Sequence, residues 1–168
     1  GVSAATQTLT IATNSAGTLT GDYNYVIAPV NSYAVEGDYS VDNALSTTFT
    51  AASEDIAITD IPTAPASHGV NSWNIYRNTA GVATTYWRVT NVANGVSAVT
   101  DNNSDSVLVT AAPLDNAPPF FFKYFQNFQG YLFAAGYSEQ KSRLYWSKVN
   151  TPEQFPVDNF VRVGQGDG

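Results

Sequence analysis

The sequence predicts an all-β protein, a sandwich of short antiparallel strands followed by a small aromatic β-meander. Three observations carry this expectation. Thr, Val, Tyr, Asn, Gly and Pro are plentiful while Leu, Glu and Lys are scarce, a balance that favours strands and turns over helices. Short runs of alternating polarity recur between Gly, Pro and Asn clusters, at the spacing of a sandwich. Near residue 113 an acidic, Thr/Ala/Asn-rich stretch gives way to an aromatic one, and thirteen of the 22 aromatic residues lie in the last 49 of 168.

Residues 6–13 alternate apolar and polar and predict a first strand, with a turn at Asn14–Gly17. Residues 21–31 predict a second, with Tyr23, Tyr25 and Ile27 on one face and Asn24, Val26 and Ala28 on the other; Pro29 marks an edge, a bulge or its end. Further strands are expected at 47–51, 55–59, 72–77, 85–91 and 97–101. Residues 111–119, Ala-Ala-Pro-Leu-Asp-Asn-Ala-Pro-Pro, read as a stiff linker, because three prolines fix φ and disfavour helix before them. The expected organisation is a sandwich over 1–110, the linker, and a meander over 120–168 that is incomplete on its own.

Beyond the linker, residues 120–128 set Phe120, Phe122 and Tyr124 against Phe121, Lys123 and Phe125, so both faces are largely aromatic. A strand apolar on both faces wants cover on both. Strands at 131–135, 143–147 and 159–163 would complete a four-stranded meander. Forty-nine residues are few to enclose thirteen aromatic rings, so Phe120, Phe121, Phe122, Tyr124, Phe125 and Phe128 are expected to form an interface.

Two stretches resemble known modules. Gly21-Asp-Tyr-Asn-Tyr-Val-Ile-Ala-Pro-Val-Asn31, Ile58-Thr-Asp-Ile-Pro62, Trp73-Asn-Ile-Tyr-Arg77, Tyr86-Trp-Arg-Val89 and Ala98-Val-Thr-Asp101 together resemble the fibronectin type III-like, immunoglobulin-like sandwiches of bacteriophage structural proteins, in a permuted strand order covering about residues 6–110. Gly130-Tyr-Leu-Phe-Ala-Ala-Gly136, Ser142-Arg-Leu-Tyr-Trp-Ser147, Asn150-Thr-Pro-Glu-Gln-Phe-Pro156 and Asn159-Phe-Val-Arg-Val-Gly164 resemble the opening blade of β-propeller-like segments in phage tail and adaptor proteins. A blade buries its faces against neighbouring blades, and one alone leaves them wet.

Charge narrows the function classes. Residues 1–119 carry a formal charge of −8 and residues 120–168 one of +1, giving the overall −7. With seven Lys and Arg, a surface that neutralises nucleic-acid phosphates is not expected. Cysteine is absent, so neither a disulfide framework nor a thiolate metal site is expected. No apolar run approaches the roughly 18 residues of a membrane-spanning helix, and a soluble protein without membrane insertion is expected. Met is absent too, so residue 1 is not expected to be the translation start, which leaves room for a longer natural polypeptide.

Chemistry-bearing motifs are weak. Asp101-Asn-Asn-Ser-Asp105 mimics the start of a calcium loop, yet the sixth and twelfth positions are Ser106 and Ala112 instead of Gly and Glu, so a hydrogen-bonded turn is the default reading. Asn102-Asn-Ser104 is a glycosylation sequon that matters only in a eukaryotic secreted protein. His68, the single His, falls in a Pro/Ala/Ser/Gly loop and reads as solvated. Residues 164–168 look like a phosphate loop but lack its Gly-Lys-Ser/Thr, and read as a turn. Fourteen carboxylates read as solvated surface before they read as a glycosidase pair, and Trp73, Trp87 and Trp146 as core before sugar platforms.

No catalytic, cofactor-binding or metal-binding residue is expected, and no enzyme. The resemblances imply a structural component of a bacteriophage virion, in the tail, adaptor or fibre region. Its partners would be other copies of itself and neighbouring virion proteins. The alternatives are a host-surface or glycan-binding module, including an adhesin domain, and an accessory domain of a carbohydrate-active enzyme.

Overall fold

The structure, a computed structural model, describes residues 8–39, 46–113, 116 and 121–164. It is all-β, with three antiparallel sheets and no α-helix among the described residues. The chain divides into two compact units, Val2–Leu114 and Asp115–Gly168.

In the first unit, β1 (Thr10–Tyr23), β3 (Phe49–Thr59) and β6 (Val99–Asp101) form one sheet with β3 in the middle. The other sheet comprises β2 (Tyr25–Asn31), β4 (Val70–Thr79) and β5 (Val82–Ala93), with β4 in the middle. Both sheets feed one core: Leu19 and Tyr23 from β1, Ile56 and Ile58 from β3, Tyr25 and Ile27 from β2, and Trp73 and Ile75 from β4. Because side chains alternate along a strand, Val26 and Ala28 of β2 point the other way, where they pack with Tyr76 and Tyr86. The chain changes sheet at Asn24, whose N–H donates to Asn78 Oδ1 at 2.6 Å and whose side-chain amide donates to the Ser46 carbonyl at 3.2 Å. Pro29 lies on an edge strand, where its missing N–H interrupts no ladder; its carbonyl accepts from the Gly37 N–H at 2.8 Å.

Four local expectations need correction. Residues 6 and 7 fall outside the described residues, and Asn14–Gly17 is not a turn: β1 runs through it, with register shifts against β3 between Thr13 and Ser15 and between Ala16 and Leu19. These bulges take up the extra residues. Gly17 serves close approach, since a Cβ there would fall 1.9 Å from Asp55 Oδ1. The strands expected at 47–51 and 55–59 are one strand, β3, which passes through Ser53 at φ 63° while its N–H donates to Thr20 Oγ1. Of the three tryptophans only Trp73 is buried, whereas Trp87 and Trp146 are half-buried. Ala111 pairs with Trp87, and the Ala112 N–H donates to the Tyr86 carbonyl at 2.8 Å, so the first residues of the expected linker continue along β5.

The second unit is a four-stranded sheet of β7 (Tyr124–Phe128), β8 (Tyr131–Ala135), β9 (Arg143–Trp146) and β10 (Phe160–Arg162), each pairing with the next in sequence. The β7–β8 turn places Gln129 at φ 49° and Gly130 at φ 80°, the left-handed pair of a tight hairpin. Ala134, Tyr145 and Phe155 are buried together, with Phe122, Leu132, Tyr137 and Phe160 packed against them.

Candidate functional site: an aromatic sheet with one open face

Register decides which side chains share a face, because directly opposed residues of an antiparallel pair point the same way. Phe125 opposes Ala134, Ala134 opposes Tyr145, and Tyr145 opposes Phe160, which defines the inner face. Phe122, Tyr137 and Phe155 close it: the Phe122 ring lies 5.1 Å from Tyr145, 5.4 Å from Phe155 and 6.3 Å from Tyr137. The outer face carries Tyr124, Gln126 and Phe128 of β7, Tyr131 and Phe133 of β8, Leu144 and Trp146 of β9, and Val161 of β10. None of these is buried. The rings form a chain across the sheet, with Tyr131 to Phe133 at 6.2 Å and Phe133 to Trp146 at 6.4 Å.

Among the described residues β7 is the sheet's edge, and all five of its residues are exposed. Phe121 is 97% exposed, Tyr124 68%, Phe128 59% and Phe125 54%. Of the six residues expected at an interface, these four are therefore solvent-facing in the single chain. Phe122 is turned into the inner core, and Phe120 lies outside the described residues. Sequence reasoning did not find the rest of the open face, Tyr131, Phe133, Leu144, Trp146 and Val161. Its signal was present: strands at 131–135 and 143–147 are apolar at consecutive positions, so one face had to be left over once the other packed.

The calcium-like loop has a different occupant. Asp101 Oδ2 accepts from Arg77 Nε at 2.7 Å, the Asn103 carbonyl accepts from Nη2 at 2.5 Å, and Asp105 Oδ1 accepts from Nη1 at 2.5 Å. The oxygens at the first, third and fifth loop positions thus converge on a guanidinium. Arg77 and Asp101 are both fully buried, and the Arg77 guanidinium also lies 4.7 Å above the Tyr23 ring. Tyr25 OH donates to Asp101 at 2.8 Å, so β2, β4 and β6 meet in one network that joins the two sheets. Burial alone would lower the Arg77 pKa, but the Asp101 charge and the Asp105 hydrogen bond hold it above its ordinary value. The loop is the hydrogen-bonded turn of the default reading, with the Asn103 N–H donating to Asp101 Oδ1 at 2.9 Å, and its oxygens hold an internal cation.

Burial pushes the Tyr25 hydroxyl far above its ordinary 10.0, and the Asp101 charge and hydrogen bond add to the shift. Tyr76 is raised too, by burial and by its hydrogen bond to Glu36. In the unfolded chain these phenols ionise near 10, whereas in the folded chain they keep their protons. Their stabilisation is therefore complete below pH 10 and is lost as pH climbs above it, by about 1.4 kcal/mol per pH unit for each group. Tyr25→Phe is expected to flatten the decline of unfolding free energy between pH 10.5 and 11.5 by about that slope. An unchanged slope in urea titrations would refute the assignment.

The remaining motifs come together nowhere. His68 is exposed at the end of a 3-10 turn, Ala66–His68. Gly164 is exposed, and residues 165–168 lie outside the described residues. Among the described residues, no group of three His, Cys, Asp or Glu side chains is placed to hold a metal ion, and no helix is long and apolar enough to cross a membrane. No protein-family model matches the chain, and no curated protein matches it.

Proposed function

We propose that this chain is a non-enzymatic structural component of a phage virion, in the tail, adaptor or fibre region, that assembles with copies of itself and neighbouring virion proteins through its aromatic sheet. The observation that carries the reading is the open outer face beside an exposed aromatic edge, an apolar surface of the kind that marks a protein interface. The resemblances of residues 6–110 to fibronectin type III-like phage sandwiches and of residues 130–164 to a propeller blade support it. A blade buries its faces against neighbours; the inner face here is closed by Phe122, Tyr137 and Phe155, and in this reading the neighbour of the outer face comes from another subunit. The acidic first unit then serves as a projecting or spacing module. On a surface it keeps copies apart except where the aromatic sheets meet.

The test pairs assembly with ligand binding. The purified protein is expected to form a fixed multimer without any ligand and to show no saturable binding on a glycan array. Phe121→Asp, at the most exposed ring, is expected to raise the dissociation constant at least tenfold and to leave the circular dichroism unchanged. Saturable glycan binding by a monomer, lost on replacing Tyr124 or Phe128, would replace this reading with that of a host-surface binding module.

A further inference from the structure

We infer that the β7 edge is completed by β7 of a second copy of this chain, antiparallel and centred on Gln126. The inference rests on the assembly reading above and gives it a geometry. An edge strand is a row of unpaired backbone donors and acceptors, which natural proteins blunt with charges, prolines, short length or a covering element. β7 carries no charge and no proline among its five residues, Tyr-Phe-Gln-Asn-Phe, and all five are exposed. The occupant that fits is β7 itself. Centred on Gln126, self-pairing sets Tyr124 opposite Phe128 of the second copy twice over, and Phe125 opposite Asn127. Both aromatic pairs fall on the outer face, so the open faces of the two sheets become one continuous surface.

Charge selects the direction. The one charge flanking the strand is Lys123. Antiparallel pairing places it opposite Gln129 of the second copy at either end, while parallel pairing would stack lysine on lysine. Shifting the centre toward the N-terminus brings the two lysines together and leaves Phe128 outside the ladder. The pairing also gives exposed rings their partners: Tyr124 and Phe128, 68% and 59% exposed, meet those of the second copy across the ladder at both ends. The pairing is two-fold and closed, as an isologous contact must be.

The absence of cysteine makes the test clean. In Gln126→Cys the two thiols would sit across the two-fold axis with Cα atoms about 5 Å apart, within disulfide range. In Asn127→Cys they would be displaced along the strands to about 8 Å, beyond it. Mild oxidation of the assembled full chain is expected to give a covalent dimer from Gln126→Cys at least tenfold faster than from Asn127→Cys or from Ser138→Cys on an exposed turn. A second test uses charge: Gln126→Glu and Gln126→Lys chains are each expected to dissociate alone and to assemble when mixed. If the multimer forms but Gln126→Cys gains no preference and the charge variants do not complement, the edge pairing is wrong while assembly through the open face stands. If every variant and the parent chain are monomeric, both readings fall.

Discussion

Arg77→Met is expected to destabilise the first unit by about 3–5 kcal/mol, because it leaves Asp101 buried without its counter-charge. Both side chains have no exposed surface, and the Arg77 Nε to Asp101 Oδ2 distance is 2.7 Å. The same substitution removes the Asp105 and Asn103 contacts that hold the 101–105 loop, and the stack on Tyr23. A loss of that size is a large part of the 5–15 kcal/mol that typically separates folded from unfolded domains. Adding Asp101→Asn to Arg77→Met should recover part of it, since the stranded charge is then gone. Urea unfolding of the single and double variants checks both statements. A cost below about 1 kcal/mol for Arg77→Met would show that the network is incidental to the joining of the sheets.

Phe155→Ala is expected to cost about 3–5 kcal/mol in the second unit and to abolish assembly. Phe155 is 2% exposed and its ring packs against Phe122, so its removal opens a cavity beneath the face that Ala134 and Tyr145 build. So small a unit has little reserve, because the fraction of surface buried falls with size. The first unit, whose core uses none of these residues, should keep its own thermal transition. Calorimetry with size-exclusion chromatography reads both effects. A Phe155→Ala protein that assembles normally would separate the aromatic sheet from assembly altogether.

The fold was legible where local signals and tertiary context agree. β8 occupies the expected Tyr131–Ala135, set off by the Gln129–Gly130 turn, and the two faces read from residues 21–31 are the two buried clusters. Legibility failed where a partner strand overrode a local signal. Asn14–Gly17 has turn composition, but its partner β3 accepts it as bulged strand and Gly17 lets Asp55 approach. The change of sheet at Asn24 left no mark either, since the same alternation serves both sheets. At the candidate site, the aromatic run announced an apolar strand, yet alternation cannot say which face is covered. Phe122 turned inward while Phe121 and Tyr124 stayed outside, because Tyr137 and Phe155, distant in sequence, close only one side. Arg77 went unnoticed as a keystone because an arginine ending an apolar strand looks like an edge charge until its carboxylates are in view.

The most direct measurement is the mass of the native protein in solution, by light scattering across a dilution series. A fixed multimer of the 18.0 kDa chain, constant over the range and formed without ligand, is what an aromatic sheet completed by other copies requires. A monomer at every concentration would mean that the exposed edge and the open face stay bare, and would contradict the assembly account.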